Sequence, residues 1–394
     1  MEPILIIGIT VALLFNFLNG LHDAANSIST IVATRVLTPI QAVGLAAFFN
    51  LIGPLFFTTA IAKTIGKGII IPGWLTLEII ITGILVASFW IYFTARVGVP
   101  ISSTHAMIGG LIGSAVAFGG FSVVILPTFQ LLLQLIIYGA AGSAIALLIL
   151  VLFAWHYSEE NLKEYAMIGA YFGFVLTIPL CIALHILPIS GLLGIILFIV
   201  ISPSLGFVFA FFFGCITIRI CRKQDQNTMN HIFNKLQIAS ASFYSIGHGS
   251  NDAQHAMGII TAMLVTSGVL SDFNVPLWVI ILSSAAISLG TLTGGWKIVQ
   301  TMAKRITHLR PYQGFCAEAG GGLVLLFVTL FGVPVSSTHA ISGCIMGVGA
   351  TQGSSAVQWG TVRRIFTAWI ITIPLTASCS WIVFSIFQTI WPEF

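Results

Sequence analysis

Long apolar runs, interrupted at a few points by short polar clusters, set the pattern of this chain. The runs 124–154, 164–187 and 190–220 each exceed the roughly 20 apolar residues that a bilayer-spanning helix needs. Core helices of a soluble protein are shorter and apolar on one stripe only. Two more spans are predicted over 236–270, the first of them broken, and 275–297. The stretches 312–331 and 336–350 flank a Gly-Val-Pro turn. At 1.5 Å per residue the second covers only about 22 Å of a roughly 30 Å apolar layer, so the pair predicts a re-entrant hairpin. A like hairpin is predicted over 74–119 and a last span over 365–390. The expected fold is an all-α polytopic membrane protein with broken helices and two re-entrant helical hairpins. The opening segment, MEPILI, lacks the basic start of a cleavable signal peptide and is expected to stay as the first span.

Composition supports this class and removes others. With 57% apolar residues, 7% charged residues and a mean hydropathy of +1.05, the chain has too few charges to cover a soluble globule of 394 residues. Its net charge of +4 comes from basic residues scattered singly between spans, so no nucleic-acid surface is expected. The six cysteines form no CxxC pair, which argues against a disulfide framework or a zinc site.

The polar interruptions come in duplicate. GVPISSTHA at 98–106 returns as GVPVSSTHA at 332–340, and NGLHDAAN at 19–26 is matched by HGSNDAQH at 248–255. Asp23 and Asp252 thus mark two copies of one unit, a pattern that points to a carrier with one half on each side of its substrate. The polar stretch 221–235 separates a first repeat with connecting spans, 1–220, from a second repeat, 236–394. Arg219, Arg222, Lys223 and Lys235 predict a cytoplasmic position for that stretch. Counting crossings outward from it, with both hairpins re-entrant, predicts that the N-terminus and the C-terminus are extracytoplasmic and that the repeats have inverted topology. Lys63 and Lys67 fall on the wrong side for a strict charge count.

The duplicated residues suggest their chemistry. Pro100 and Pro334 favour a helix start just beyond them, which sets Ser102, Ser103 and Thr104, and Ser336, Ser337 and Thr338, at the N-cap and first turn. Free amides and hydroxyls beside the positive end of a helix dipole make an anion site. Asp23 and Asp252 must face protein or a wet cavity, since a charge at mid-membrane costs about 2.5–3.5 kcal/mol or more. Asn19, Gly20, Gly247 and Gly249 are expected to let each helix break there and free carbonyls for cations. Two helix N-termini supply roughly half a positive charge each, against two carboxylates plus an oxyanion, so a cation must enter with the anion. The coupling-ion candidates are His22, Asp23, Asn251, Asp252, His255 and Glu318, with a sodium site near Asp23, Asn26, Asn251 and Asp252 as one form. His105 and His339 fit capping or packing as well as chemistry. Glu318 has Ile84 at its matched position, so its role is not duplicated, and a salt bridge to Arg310 or another basic group is its structural alternative.

With G-x-H-D-x-x-N at 20–26, its counterpart at 249–255 and P-[IV]-S-S-T-H in each hairpin, nearly the whole chain resembles the inorganic phosphate transporter (PiT) family. The resemblance implies secondary active symport of phosphate with sodium or protons, inverted repeats, a midplane site, a homodimer and a plasma (inner) membrane location. It assigns phosphate to Asp23, Asn26, Ser102, Ser103, Thr104, Asp252, Ser336, Ser337 and Thr338, with no cofactor beyond the co-transported H+ or Na+. Two residues depart from the sodium-coupled pattern: His22 replaces an Asn often found there, and His255 replaces Asn or Lys. A basic group near the anion would supply part of the charge that sodium otherwise brings, so proton or metal-phosphate coupling is expected ahead of sodium.

Three other functions compete. Sulfate lacks a proton to donate to the carboxylates, which favours phosphate over sulfate within the same fold. A cation channel or exchanger built on the paired aspartates is the second alternative. A serine hydrolase is disfavoured: there is no GxSxG elbow, and adjacent Thr104 and His105 cannot face each other as nucleophile and base.

Overall fold

The structure is a computed structural model that describes residues 3–156, 162–188 and 191–391. Among these residues it is built of α-helices, with a single antiparallel bridge between Ile70 and Val124. Backbone groups in an apolar layer must be satisfied within their own helix, which is why apolar runs of this length fold this way.

The first half opens with α1, Pro3–Ala33, followed by α2, Pro39–Ile52, and the short α3, Ala60–Lys67. A hairpin follows, α4 at Leu77–Val97 and α5 at Ser103–Gly119. Next come α6, Phe129–His156, α7, Leu162–Ala183, and α8, Gly191–Cys221. The second half repeats the opening order with α9, Gln226–Thr266, α10, Leu277–Thr293, and the short α11, Trp296–Arg305. Its hairpin pairs α12, Pro311–Leu330, with α13, Ser337–Ala350, and α14, Trp359–Ile390, closes the chain. Seven of these helices are long and apolar enough to cross a membrane. At 17 and 14 residues, α5 and α13 fall short of the roughly 20 that crossing needs.

Three expectations from the sequence are corrected. The polar stretch 221–235 is not a loop: only 222–225 lie outside helix, because Asp225 accepts from Thr228 N at 3.0 Å and caps a segment with no Gly or Pro to stop it. Nor does either helix break at its aspartate, since α1 and α9 run unbroken through 19–26 and 248–255. The breaks lie in the following elements, where Pro39–Leu55 bends by 79° into α3 and α10 by 68° into α11. Residues 275–297 therefore do not form one straight span.

The glycines at the aspartates serve close approach instead. A Cβ on Gly20 would stand 2.1 Å from the Ile287 carbonyl oxygen of α10, and one on Gly290 would stand 2.0 Å from that of Phe17. The matched contact in the other half sets Gly249 against Asn50 and Gly53 against Ile246. Each aspartate-bearing helix is thus pressed against the bent arm of the opposite half. The hairpins cross over in the same way: α14 lies on α5 through Gly109 and Gly113, and α8 lies on α13 through Gly343 and Gly347.

By packing, the chain forms two units, Met1–Ile125 with Phe198–Phe394, and Leu126–Leu197. Within the second, α6 and α7 pack through Gly142 and Gly173, each close to the backbone of the other helix. All the motif residues belong to the first.

Replacing Gly20 by Ala is expected to overpack the α1–α10 crossing and cost about 1–3 kcal/mol, lowering the melting temperature in detergent. Gly44→Ala on α2, where nothing lies within 4 Å, is the control and is expected to leave it unchanged or slightly higher.

Candidate functional site

On α1, Asn19, Asp23 and Asn26 fall at positions i−4, i and i+3, and so share one face; on α9, His248, Asp252 and His255 do the same. Both aspartates are buried, at 2% and 1% exposure. As expected, the SST segments start helices: Ser102 and Ser336 are the N-caps of α5 and α13, and their Oγ atoms accept from His105 N at 3.2 Å and His339 N at 3.3 Å.

The next residue of each triplet turns to a carboxylate. Ser103 Oγ lies 2.6 Å from Asp23 Oδ2, and Ser337 donates to Asp252 Oδ2 at 3.0 Å. Ser103 Oγ is also 2.6 Å from the Asn19 side chain. The atom facing it is Asn19 Oδ1, and one hydroxyl proton serves one acceptor, so Asn19 Oδ1 and Asp23 Oδ2 compete for the Ser103 proton. The other carboxylate oxygen is held by the preceding residue. Asp23 Oδ1 is 2.6 Å from His22 Nδ1, and Asp252 Oδ1 accepts from Asn251 Nδ2 at 2.6 Å.

The third residue of each triplet reaches across to the other half. Asn26 Nδ2 donates to Thr338 Oγ1 at 3.0 Å and to Ser337 Oγ at 3.2 Å, while Thr104 Oγ1 lies 3.2 Å from His255 Nε2. Thr338 also reaches Asp23 Oδ1 at 3.3 Å. Each aspartate is therefore bonded by the hairpin of its own half, Asp23 by Thr338 of the other as well, and the last residue of each cluster is bonded by the hairpin of the other.

The electrostatics follow from what surrounds the pair. At the two aspartates the ion-pair distances are His22 Nδ1 to Asp23 Oδ1, 2.6 Å, and His248 Nε2 to Asp252 Oδ2, 3.1 Å. Neither lysine nor arginine compensates the carboxylates; imidazoles, hydroxyls, amides and two helix N-termini do. Those N-termini meet, since the His105 and His339 rings lie 4.9 Å apart and His339 stacks on Trp369 at 3.7 Å. Helix geometry leaves the Ser103, Thr104, Ser337 and Thr338 amides without intrahelical partners, so two positive dipole ends converge on one place. Ligand atoms of Asp23, His248 and Asp252 lie within 4.8 Å of one another, a spacing that one cation could bridge.

Glu318 is brought elsewhere. Fully buried on α12, it accepts from Thr30 at 2.6 Å, Gln237 at 3.1 Å and Ser240 at 2.6 Å. Its partners are neutral donors from α1 and α9, and the salt bridge to Arg310 does not form. Thr30 lies seven residues beyond Asp23 on α1, about 10 Å along the axis. Sequence reasoning missed His248 and Asn19 as site residues. Their signal was the spacing of four from each aspartate, which sets them on its face. It also missed Asn50, whose Oδ1 lies 3.2 Å from His248 Nδ1 and whose NH2 donates to Thr291 at 3.0 Å. A lone Asn in an apolar run offers no such signal.

Residues 19–380 match the model of the phosphate transporter family. A probable low-affinity inorganic phosphate transporter of Rhizobium meliloti (strain 1021) is 43% identical over 379 residues, covering 96% of this chain and 95% of that protein. One with the same description from Bacillus subtilis (strain 168) is 34% identical over 99% of this chain and 100% of its own length. Among solved structures, "The sodium-dependent phosphate transporter" matches with a TM-score of 0.70 at 24% identity, over 99% of this chain and 100% of that one, a likeness of fold.

A double-mutant cycle separates the two serines of one triplet. Ser103→Ala combined with Asp23→Asn is expected to show a coupling of about 1.5–3 kcal/mol in thermal unfolding, the scale of a hydrogen bond to a charge. Ser102→Ala with Asp23→Asn is expected to be additive, Ser102→Ala alone costing about 1 kcal/mol as a lost N-cap.

Proposed function

The chain belongs to the phosphate transporter family, and from that premise we propose that it imports inorganic phosphate by symport with a cation, at one site where its two halves meet. It is a transporter and not an enzyme. The observation that carries the reading is the paired bonding of Ser103 to Asp23 and Ser337 to Asp252, with Asn26 and His255 reaching the opposite threonines. Hydroxyls of Ser102, Ser103, Thr104, Ser336, Ser337 and Thr338 and the first-turn amides would bond phosphate oxygens, while Asp23 and Asp252 accept the proton of a phosphate hydroxyl. An anion arriving there competes with the carboxylates for the same serine hydroxyls. The negative charge that accumulates requires a cation to travel with it.

We take that cation to be a proton, or a metal carried with phosphate, because an imidazole stands at each carboxylate: His22 at Asp23 and His248 at Asp252. One observation favours a second reading, sodium coupling. The three ligand atoms of Asp23, His248 and Asp252 are close enough to share an ion, with Asn251 bonded to Asp252 and Asn26 bonded to the same Thr338 hydroxyl as Asp23. Glu318, buried without a basic partner, is taken as a separate proton or cation station. The same reading makes the 222–225 connection cytoplasmic, both termini extracytoplasmic, the halves inverted and the assembly a homodimer in the plasma (inner) membrane.

The test is labelled phosphate uptake into proteoliposomes under separately imposed proton and sodium gradients. A proton gradient is expected to drive uptake in sodium-free medium, and Asp23→Asn and Asp252→Asn are each expected to cut it roughly ten-fold or more. Uptake that requires sodium and ignores the pH gradient overturns proton coupling. Coupled uptake that survives both substitutions overturns the site.

A further inference from the structure

The turns that join the hairpin helices are each held by a residue from the opposite half. Gly98, after α4, and Gly332, after α12, both adopt left-handed backbone, with φ of 81° and 67°. The Gly332 carbonyl accepts from Thr64 Oγ1 at 2.8 Å, and the Gly98 carbonyl from Thr301 Oγ1 at 2.9 Å. Thr64 lies on α3, beyond the 79° bend, and Thr301 on α11, beyond the 68° bend. Aligning AKTIGK at 62–67 with VQTMAK at 299–304 makes the two threonines equivalent. The backbone contact is also paired: a Cβ on Gly332 would stand 2.9 Å from Ala60 Cβ, and one on Gly98 3.1 Å from Lys297 Cβ.

We propose that Thr64 and Thr301 are positioning residues for transport: paired latches that hold each SSTH hairpin against the opposite half and release one at a time, opening the site to one face of the membrane. The proposal rests on the carrier reading above. Its physical basis is that each latched turn leads within a few residues into the N-cap serine, so a turn that swings carries half of the anion site with it. Release is also inexpensive for the threonine. Each hydroxyl already lies near the carbonyl four residues back, Ala60 O at 3.3 Å or Lys297 O at 3.2 Å, and falls back on it when the turn leaves.

The two latches are unequal. Lys297 Nζ donates to Arg96 O at 2.7 Å and adds a second bond at the Gly98 turn. Ala60, at the matched position, has no donor to offer. The Gly332 latch therefore releases more readily than the Gly98 latch.

The experiment uses the full chain in proteoliposomes without phosphate, freed of its six native cysteines and carrying either V333C or V99C, one in each turn. Labelling by a membrane-impermeant maleimide supplied on both sides is timed. Thr64→Val, which keeps the shape and removes the hydroxyl, is expected to raise the V333C rate about five-fold, the ratio equivalent to about 1 kcal/mol for a neutral hydrogen bond, with V99C unchanged. Thr301→Val is expected to raise the V99C rate by less, because the Lys297 bond remains. Thr64→Ser and Thr301→Ser keep the hydroxyl and are expected to label at the parental rate. An unchanged V333C rate in Thr64→Val, an equal rise at both cysteines, or serine variants that label like valine variants each overturn the proposal. If Thr301→Val fails to assemble, the Thr64 arm decides alone. Labelling is read without substrate, so a failure of phosphate uptake bears on the carrier reading and leaves this test standing.

Discussion

Two carboxylates buried against the converging N-termini of two short helices are the constraint on which the rest of the architecture depends. Facing dipole ends repel each other, and buried carboxylates without cationic partners are costly; each defect offsets the other only if all four groups are held together. This accounts for the density of short bonds around Asp23 and Asp252, where serine, asparagine and histidine serve in place of lysine or arginine. A fixed ammonium or guanidinium would neutralise the site permanently. Neutral donors stabilise the carboxylates without cancelling their charge.

Holding the four groups together requires the halves to interlock. Each aspartate helix crosses the bent arm of the opposite half at glycine, so close that a methyl group would meet a backbone carbonyl. Each hairpin is bonded at its turn by the opposite short helix and covered by the long helix of the other half. Small residues do this work because helices in lipid gain no hydrophobic energy from touching, and only close approach gives them dispersion contact.

The hairpins and their caps were readable from sequence because Pro-x-Ser-Ser-Thr admits few local structures: the proline stops one course and the serine starts another. The division of labour within Ser-Ser-Thr was not readable, since which hydroxyl meets which carboxylate depends on the rotation of α5 and α13 against α1 and α9. The glycines at 20 and 249 misled for a physical reason. Glycine permits either a broken helix or a close crossing, and only the neighbouring backbones of Ile287 and Asn50 decide between them. Polarity at 226–235 signalled exposure, not an end to helix, once Asp225 supplied a cap. The bends after α2 and α10 lay in segments whose hydropathy resembles that of an unbroken span.

The cross-covering of hairpins has a consequence for synthesis. The first hairpin is complete by residue 119, yet the helix that lies on α5 is α14, which is made after every other described helix. Trp369, which donates to Pro100 O and stacks on His339, emerges later still than both serine triplets. For most of its biogenesis the chain therefore carries a polar serine triplet with its final neighbour unmade. Its insertion order and its folding order cannot coincide, and during that interval the nascent hairpin depends on lipid, water or the insertion machinery for cover.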